Sequence, residues 1–131
     1  MKAYSVFLGA ALILQSGQKP EPFTTLPSEH MTNTIAEPFE TRSVRGTIVR
    51  KQGDLGPLED VIFEVRGLGT NGKIRRVVTD DHGRFRIDLL PDGLYDFKAS
   101  LNGFQCVVGQ IVVSKKAARK NRITIEMYFG V

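Results

Sequence analysis

Phe85, Ile87 and Leu89 alternate with Arg84, Arg86 and Asp88, and further on Tyr95, Phe97, Ala99 and Leu101 alternate with Asp96, Lys98 and Ser100. Successive side chains of a strand point to opposite faces, so each run predicts a strand with one dry and one wet side. The residues before each run are those of turns. Asp80, Asp81, His82 and Gly83 combine short polar side chains that bond nearby amides with a glycine free to take a positive φ. Pro91, Asp92 and Gly93 do the same with a preset proline angle. Two such turns in succession predict an antiparallel meander of residues 73–79, 84–89 and 94–101.

The same reading extends along the chain. Residues 43–50 (SVRGTIVR), 61–67 (VIFEVRG), 73–79 (KIRRVVT), 84–89, 94–101, 105–114 and 122–129 are rich in β-branched or aromatic residues and are bounded by Gly, Pro, Asn or Asp. Seven strands at this short, regular spacing predict an all-β sandwich. Helical periodicity is absent, apart from room for one turn in residues 114–120. The inward positions are Val44, Ile48, Val61, Phe63, Val65, Phe85, Ile87, Leu89, Tyr95, Phe97, Leu101, Ile111, Val113, Ile123, Ile125, Met127 and Phe129. Arg75 and Arg76 break the pattern, because adjacent residues face opposite ways and an unpaired buried guanidinium is costly. If Arg75 stands opposite Asp88, the outer face gains a cross-strand ion pair, and Arg76 must escape at the sheet edge or through a bulge.

Composition changes the picture at the N-terminus. Of 131 residues, 41% are hydrophobic, which is room for one domain. Lys2, an apolar run over residues 3–14, then Ser16 and Gly17 have the order of a secretory signal peptide over residues 1–17. The run is shorter than the roughly 20 apolar residues a membrane span needs, so no transmembrane segment is expected after cleavage. Residues 18–42 hold four of the six prolines together with Thr24, Thr25, Thr32, Thr34 and Thr41. They predict an extended Pro/Thr-rich linker, on which Phe23, Leu26, Ile35 and Phe39 are able to dock against the domain at 43–131. The expected location is secreted or periplasmic.

Candidate chemistry is sparse. Cys106 is the single cysteine, which excludes an internal disulfide and fits a buried structural thiol. His30 and His82 are far apart, so neither a zinc set nor a nucleophile with its base assembles, and no cofactor, metal or catalytic residue is expected. Asp80, Asp81 and Asp92 offer calcium oxygens, but such residues more commonly cap turn amides.

The residues GTIVRKQGDLGPLEDVIFEVRG, TDDHGRFRIDLLPDGLYDFKASLNGF, an apolar IVV strand and RITIEM resemble the carboxypeptidase regulatory-like, or transthyretin-like, domain family over residues 44–129. The pieces that carry it are Gly46 with Thr47, Pro57 with Leu58, Thr79, Asp80, Gly83, Phe85, Leu90, Pro91, Gly93, Tyr95, and Gly103 with Phe104. The resemblance implies a seven-stranded antiparallel Greek-key β-sandwich and a non-catalytic folding or interaction module; fold alone does not fix function. Three neighbouring chemistries fit poorly. Modules with an internal Lys to Asn bond need a buried acid where this chain has Ala99. The transthyretin-related hydrolases end in Tyr-Arg-Gly-Ser, whereas this chain ends Met127, Tyr128, Phe129, Gly130, Val131. Iron dioxygenases on similar sandwiches take two Tyr and two His as ligands.

Charge supplies the sharper clue. Residues 43–131 carry fifteen Lys or Arg and ten Asp or Glu, a net of +5, while residues 18–42 are net negative. Lys115, Lys116, Arg119, Lys120 and Arg122 crowd one loop, and Arg84 and Arg86 share an outer face. The bland role for these charges is a solvated, solubilising loop. The expected function is an exported, non-enzymatic sandwich that binds a protein partner through a sheet face, an edge strand or the basic loop; the alternative is an anionic glycan or other polyanion at the cell envelope. Nucleic acid is not expected, since no aromatic residues interleave the basic run.

Overall fold

The computed structural model describes residues 20–27, 31–53, 56–69 and 72–130, so the signal-peptide reading of residues 1–17 lies outside the described residues. The fold is all-β, two sheets packed face to face. In chain order the strands are β1 (Thr32–Thr34), β2 (Phe39–Thr41), β3 (Val44–Arg50), β4 (Ile62–Gly67), β5 (Ile74–Val78), β6 (Arg84–Ile87), β7 (Gly93–Ser100), β8 (Cys106–Val113) and β9 (Ile123–Met127). The smaller sheet runs β9-β3-β6 and the larger runs β1-β8-β7-β4-β5, with β2 also on β8.

Every strand expected from alternation is present, yet two expectations about pairing fail. The meander does not form: β6 pairs antiparallel with β3 in the small sheet, while β5 and β7 both pair with β4 in the large one. Alternation says which side chains are dry, but the inner faces of the two sheets look the same to it. Nor is the sandwich purely antiparallel or seven-stranded. β9 runs parallel to β3, and β1 and β2, both inside the stretch read as a linker, run parallel to β8. Their three-residue length left too few positions for a period to show.

The core lies between the sheets. Phe63 of the large sheet stacks on Phe85 of the small one with ring centroids 4.0 Å apart, and Phe97 lies 5.6 Å from Phe63. Ring contacts of this kind add to the burial of the rings themselves. Fourteen of the expected inward residues are buried, joined by Leu58, Ala99, Cys106 and Val107. Leu89 is not among them. The β6 strand ends at Ile87, and Leu89 sits at φ +62° and 94% exposed. Phe129 is also exposed, stacked on Phe104 at 4.8 Å, and Leu101 is only half-buried. At the turn before β6, Gly83 has φ +72° and lies so close to Ile48 that an added Cβ would stand 2.6 Å from the Ile48 carbonyl oxygen. Ile48 N–H donates to Gly83 O there, which ties the turn to β3.

Tyr95 is buried, and its hydroxyl donates to Pro91 O at 2.6 Å. Burial, and secondarily the Asp92 carboxylate, push its phenol above its ordinary value of 10.0. A group raised in the folded state stabilises fully below its unfolded pKa and loses that contribution as pH climbs through the folded one. Stability should therefore fall above about pH 10. Denaturation curves of wild type and Tyr95→Phe over pH 8–11 check this: the difference between them should shrink as pH rises, and a constant difference would contradict the assignment.

Candidate binding surface

The N-terminal segment covers the outer face of the large sheet. Outward residues of β4 and β7 place Glu64, Arg66, Asp96 and Lys98 side by side, with Glu64 in register between Arg76 and Lys98. Glu64 is fully buried because residues 20–27 cross over it. Thr24 N–H donates to both carboxylate oxygens at 3.1 Å and Thr24 Oγ1 to Oε2 at 2.9 Å. Arg76 Nη2 lies 2.6 Å from the same oxygen, and Lys98 Nζ donates to Thr24 O at 2.9 Å. This settles the paired arginines. Arg76 turns to the outer face, 49% exposed, with its charge on Glu64, and Arg75 donates to the Asp88 carbonyl at 3.1 Å rather than to its carboxylate.

The strap is fastened again further along. Arg66 sits over the Phe23 ring at 4.3 Å and donates to Glu21 O, while the Glu21 carboxylate accepts from Ile74 N–H at the β5 edge. An open groove of about 510 Å³ remains between the strap and β1, lined by Phe23, Ile35, Arg66, Asp96, Val108 and Gln110 among others. β1 and β2 occupy the edge of β8, and Phe39 packs 5.9 Å from Phe97. Cys106 is buried under β1, its Sγ 3.2 Å from Thr32 Oγ1.

The outer face of the small sheet has no such cover among the described residues. Arg45 of β3 is in register with Arg86 of β6, and Thr47 with both Arg84 and Thr124. Arg122 precedes the Ile123–Gly46 pair by one position, which puts it beside Arg45. The strands thus lay Arg122, Arg45 and Arg86 in one row across the sheet, with Thr124, Thr47 and Arg84 in the next. Arg86 and Arg84 also hold Asp88 at 2.7 Å and Asp80 at 3.2 Å. The hydrogen bond from Arg86 to Asp88 raises the pKa of that guanidinium. Surface pairs of this sort contribute little to stability and leave much of each guanidinium free to face a ligand. Arg45 Nε is shut off from solvent with no acceptor, although its Nη2 donates to Arg119 O.

The basic loop, residues 114–122, is fixed at several points. Arg42 Nε donates to Ala117 O, Lys115 N–H to Asp92 Oδ2, and Asn121 Nδ2 to Glu40 O. Of the residues singled out from sequence, Arg86 and Arg122 are brought together and Arg84 adjoins them, with Arg119 tied to Arg45 through its carbonyl. Lys115, Lys116 and Lys120 stand on the loop itself. Arg45 and Arg42 were missed; their outward position on and before a strand was legible, but their neighbours depend on the β3 to β6 pairing. Glu64 was missed as well, because an outward glutamate is buried here only by the strap.

Asp80, Asp81 and His82 cluster on the exposed turn before β6. The Asp80 carboxylate accepts from the amides of Arg84 and His82, both at 2.9 Å, which lowers its pKa; the Arg84 amide is the largest cause. Its bonding is that of a turn cap.

Among solved structures, the chain is similar to 3-chlorocatechol 1,2-dioxygenase from Rhodococcus opacus, at 12% identity and a TM-score of 0.48, covering 92% of this chain and 77% of that one. It is similar to catechol 1,2-dioxygenase from Pseudomonas arvilla at 12% identity and a TM-score of 0.48, covering 93% and 67%. For chlorocatechol 1,2-dioxygenase from Pseudomonas putida the values are 13% and 0.41, covering 95% and 78%. No curated protein matches the chain. The family described as "Carboxypeptidase regulatory-like domain" matches residues 43–127, from the residue before β3 to the end of β9, and the chain belongs to that family.

Proposed function

We propose that this is an exported, non-enzymatic interaction module, whose seven core strands β3 to β9 form a Greek key, and that it binds an acidic partner protein through the outer face of the small sheet. The chain itself covers two surfaces such a module could otherwise use. The strap lies over the large sheet, and β1 with β2 takes the edge of β8. The observation that carries the reading is the open arginine row Arg122, Arg45 and Arg86, backed by Arg84 and by the basic loop. Planar guanidinium groups match carboxylates in paired geometry, and a positive field speeds and orients encounter.

A second reading has its own support. The Thr47 and Thr124 hydroxyls stand in register beside the arginines, a mixture that suits the hydroxyl and acid groups of an anionic glycan. Cross-linking pull-down from envelope fractions, run beside an array of sulfated and uronic-acid glycans, separates the two. Wild type should capture acidic proteins at low salt, with recovery falling steeply as salt rises. Arg86→Glu/Arg122→Glu should capture none. Equal recovery by wild type and this variant overturns the reading, and glycan retention without protein capture favours the second.

A further inference from the structure

One end of the sandwich combines exposed leucines with clustered positive charge. Register aligns Gly67 with Tyr95, Gly93 with Val113 and Val44 with Ile87, so residues 42–43, 68–69, 72–73, 88–92 and 114–122 lie at the same end. Leu68 N–H donates to Leu94 O, and Lys115 N–H to the Asp92 carboxylate, which joins these connections into one surface. On it Leu68 is 50%, Leu94 40% and Leu89 94% exposed.

Leu89 is the telling residue. Its φ of +62° is a region that glycine or asparagine occupies readily and leucine does not. The backbone is held in a strained form that lifts a large apolar side chain away from the core, an arrangement that concentrates at binding sites. The surrounding chemistry narrows the ligand. The described residues at this end include seven Lys or Arg against two carboxylates, Asp88 and Asp92, a net of +5. Asp88 is already paired with Arg86. A single apolar insertion binds a bilayer weakly, and a basic patch beside it supplies the second signal that stable attachment needs.

We infer that this end docks on an anionic lipid bilayer, with Leu89 entering between the headgroups and Lys73, Lys115, Lys116 and Lys120 meeting their phosphates. The inference goes beyond the acidic-partner reading; the two share the basic loop, whereas Thr47 and Arg84 of the partner-binding face lie further along the small sheet.

The chain has no tryptophan, so Leu89→Trp in the full chain provides one local reporter. Its emission should move to the blue and be quenched by brominated lipid when vesicles contain phosphatidylglycerol, and stay unmoved with phosphatidylcholine alone. Adding Lys115→Glu/Lys116→Glu/Lys120→Glu should weaken the anionic-vesicle response roughly a hundredfold. Adding Arg84→Glu instead should leave it in place, since Arg84 starts its strand at the opposite end and pairs with Asp80, which separates this surface from the partner-binding row. An indole that stays in water with anionic vesicles overturns the inference. So does a shift equal on both lipids, or one indifferent to the three lysines.

Discussion

Replacing Gly46 by alanine is expected to abolish cooperative folding at 25 °C. Gly46 lies in the middle strand of the small sheet, in register with Ile123 on one side and Phe85 on the other. A Cβ there would stand within 2.9 Å of three backbone atoms of Ile123, its carbonyl oxygen the nearest. No rotamer change relieves a clash with backbone, so β9 must move off β3, taking the buried Ile123, Ile125 and Met127 with it. Overpacking that the structure cannot absorb costs more than about 4 kcal/mol, comparable to the whole stability of a small domain. Gly69 serves as the control, since nothing lies within 4 Å of its added Cβ. Urea denaturation followed by far-ultraviolet circular dichroism should find Gly69→Ala within about 0.5 kcal/mol of wild type and Gly46→Ala largely unfolded. A folded Gly46→Ala with an unchanged midpoint would contradict the close approach of β3 and β9.

Glu64→Ala is expected to release the strap and cost roughly 3 kcal/mol, the order found when one partner of a buried charge pair is removed. The two cations left behind are not equivalent. Arg76 is half exposed and water can already solvate it, whereas Lys98 is 8% exposed under the strap and loses its Thr24 acceptor when the strap lifts. Amide exchange adds a local reading: the Thr24 N–H, bonded to Glu64 in the wild type, should lose protection in Glu64→Ala. A loss below about 1 kcal/mol with Thr24 still protected would show that the strap is held by other contacts.

How far the sequence reached is clearest at particular residues. The alternation through Phe85 and Ile87 gave both the strand and its buried face, because period two is a local property of the backbone. It could not say that β6 joins β3, since pairing is decided by how two sheets share one core. Leu89 was read as buried by extending that alternation two residues too far; the strand stops at Ile87 and the chain turns through a left-handed angle. β1 and β2 were hidden for another reason. Short polar stretches such as Thr32–Thr34 gain their order from the ready-made edge of β8 and not from a pattern of their own. At the proposed binding surface, Arg84, Arg86 and Arg122 stood out by charge. Arg45 in the middle of their row became meaningful only with the strand register, and Glu64 only with the strap that buries it.

The location of ligand contact on the small sheet is the claim on which the functional account rests. Amide chemical-shift mapping tests it most directly, with isotope-labelled protein titrated at low salt with a glutamate-rich peptide. The account predicts shifts concentrated at Arg45, Thr47, Arg84, Arg86, Arg122 and Thr124, vanishing at high salt. Shifts confined to the strap and groove around Phe23, Arg66 and Asp96, or no shifts at all, would contradict it.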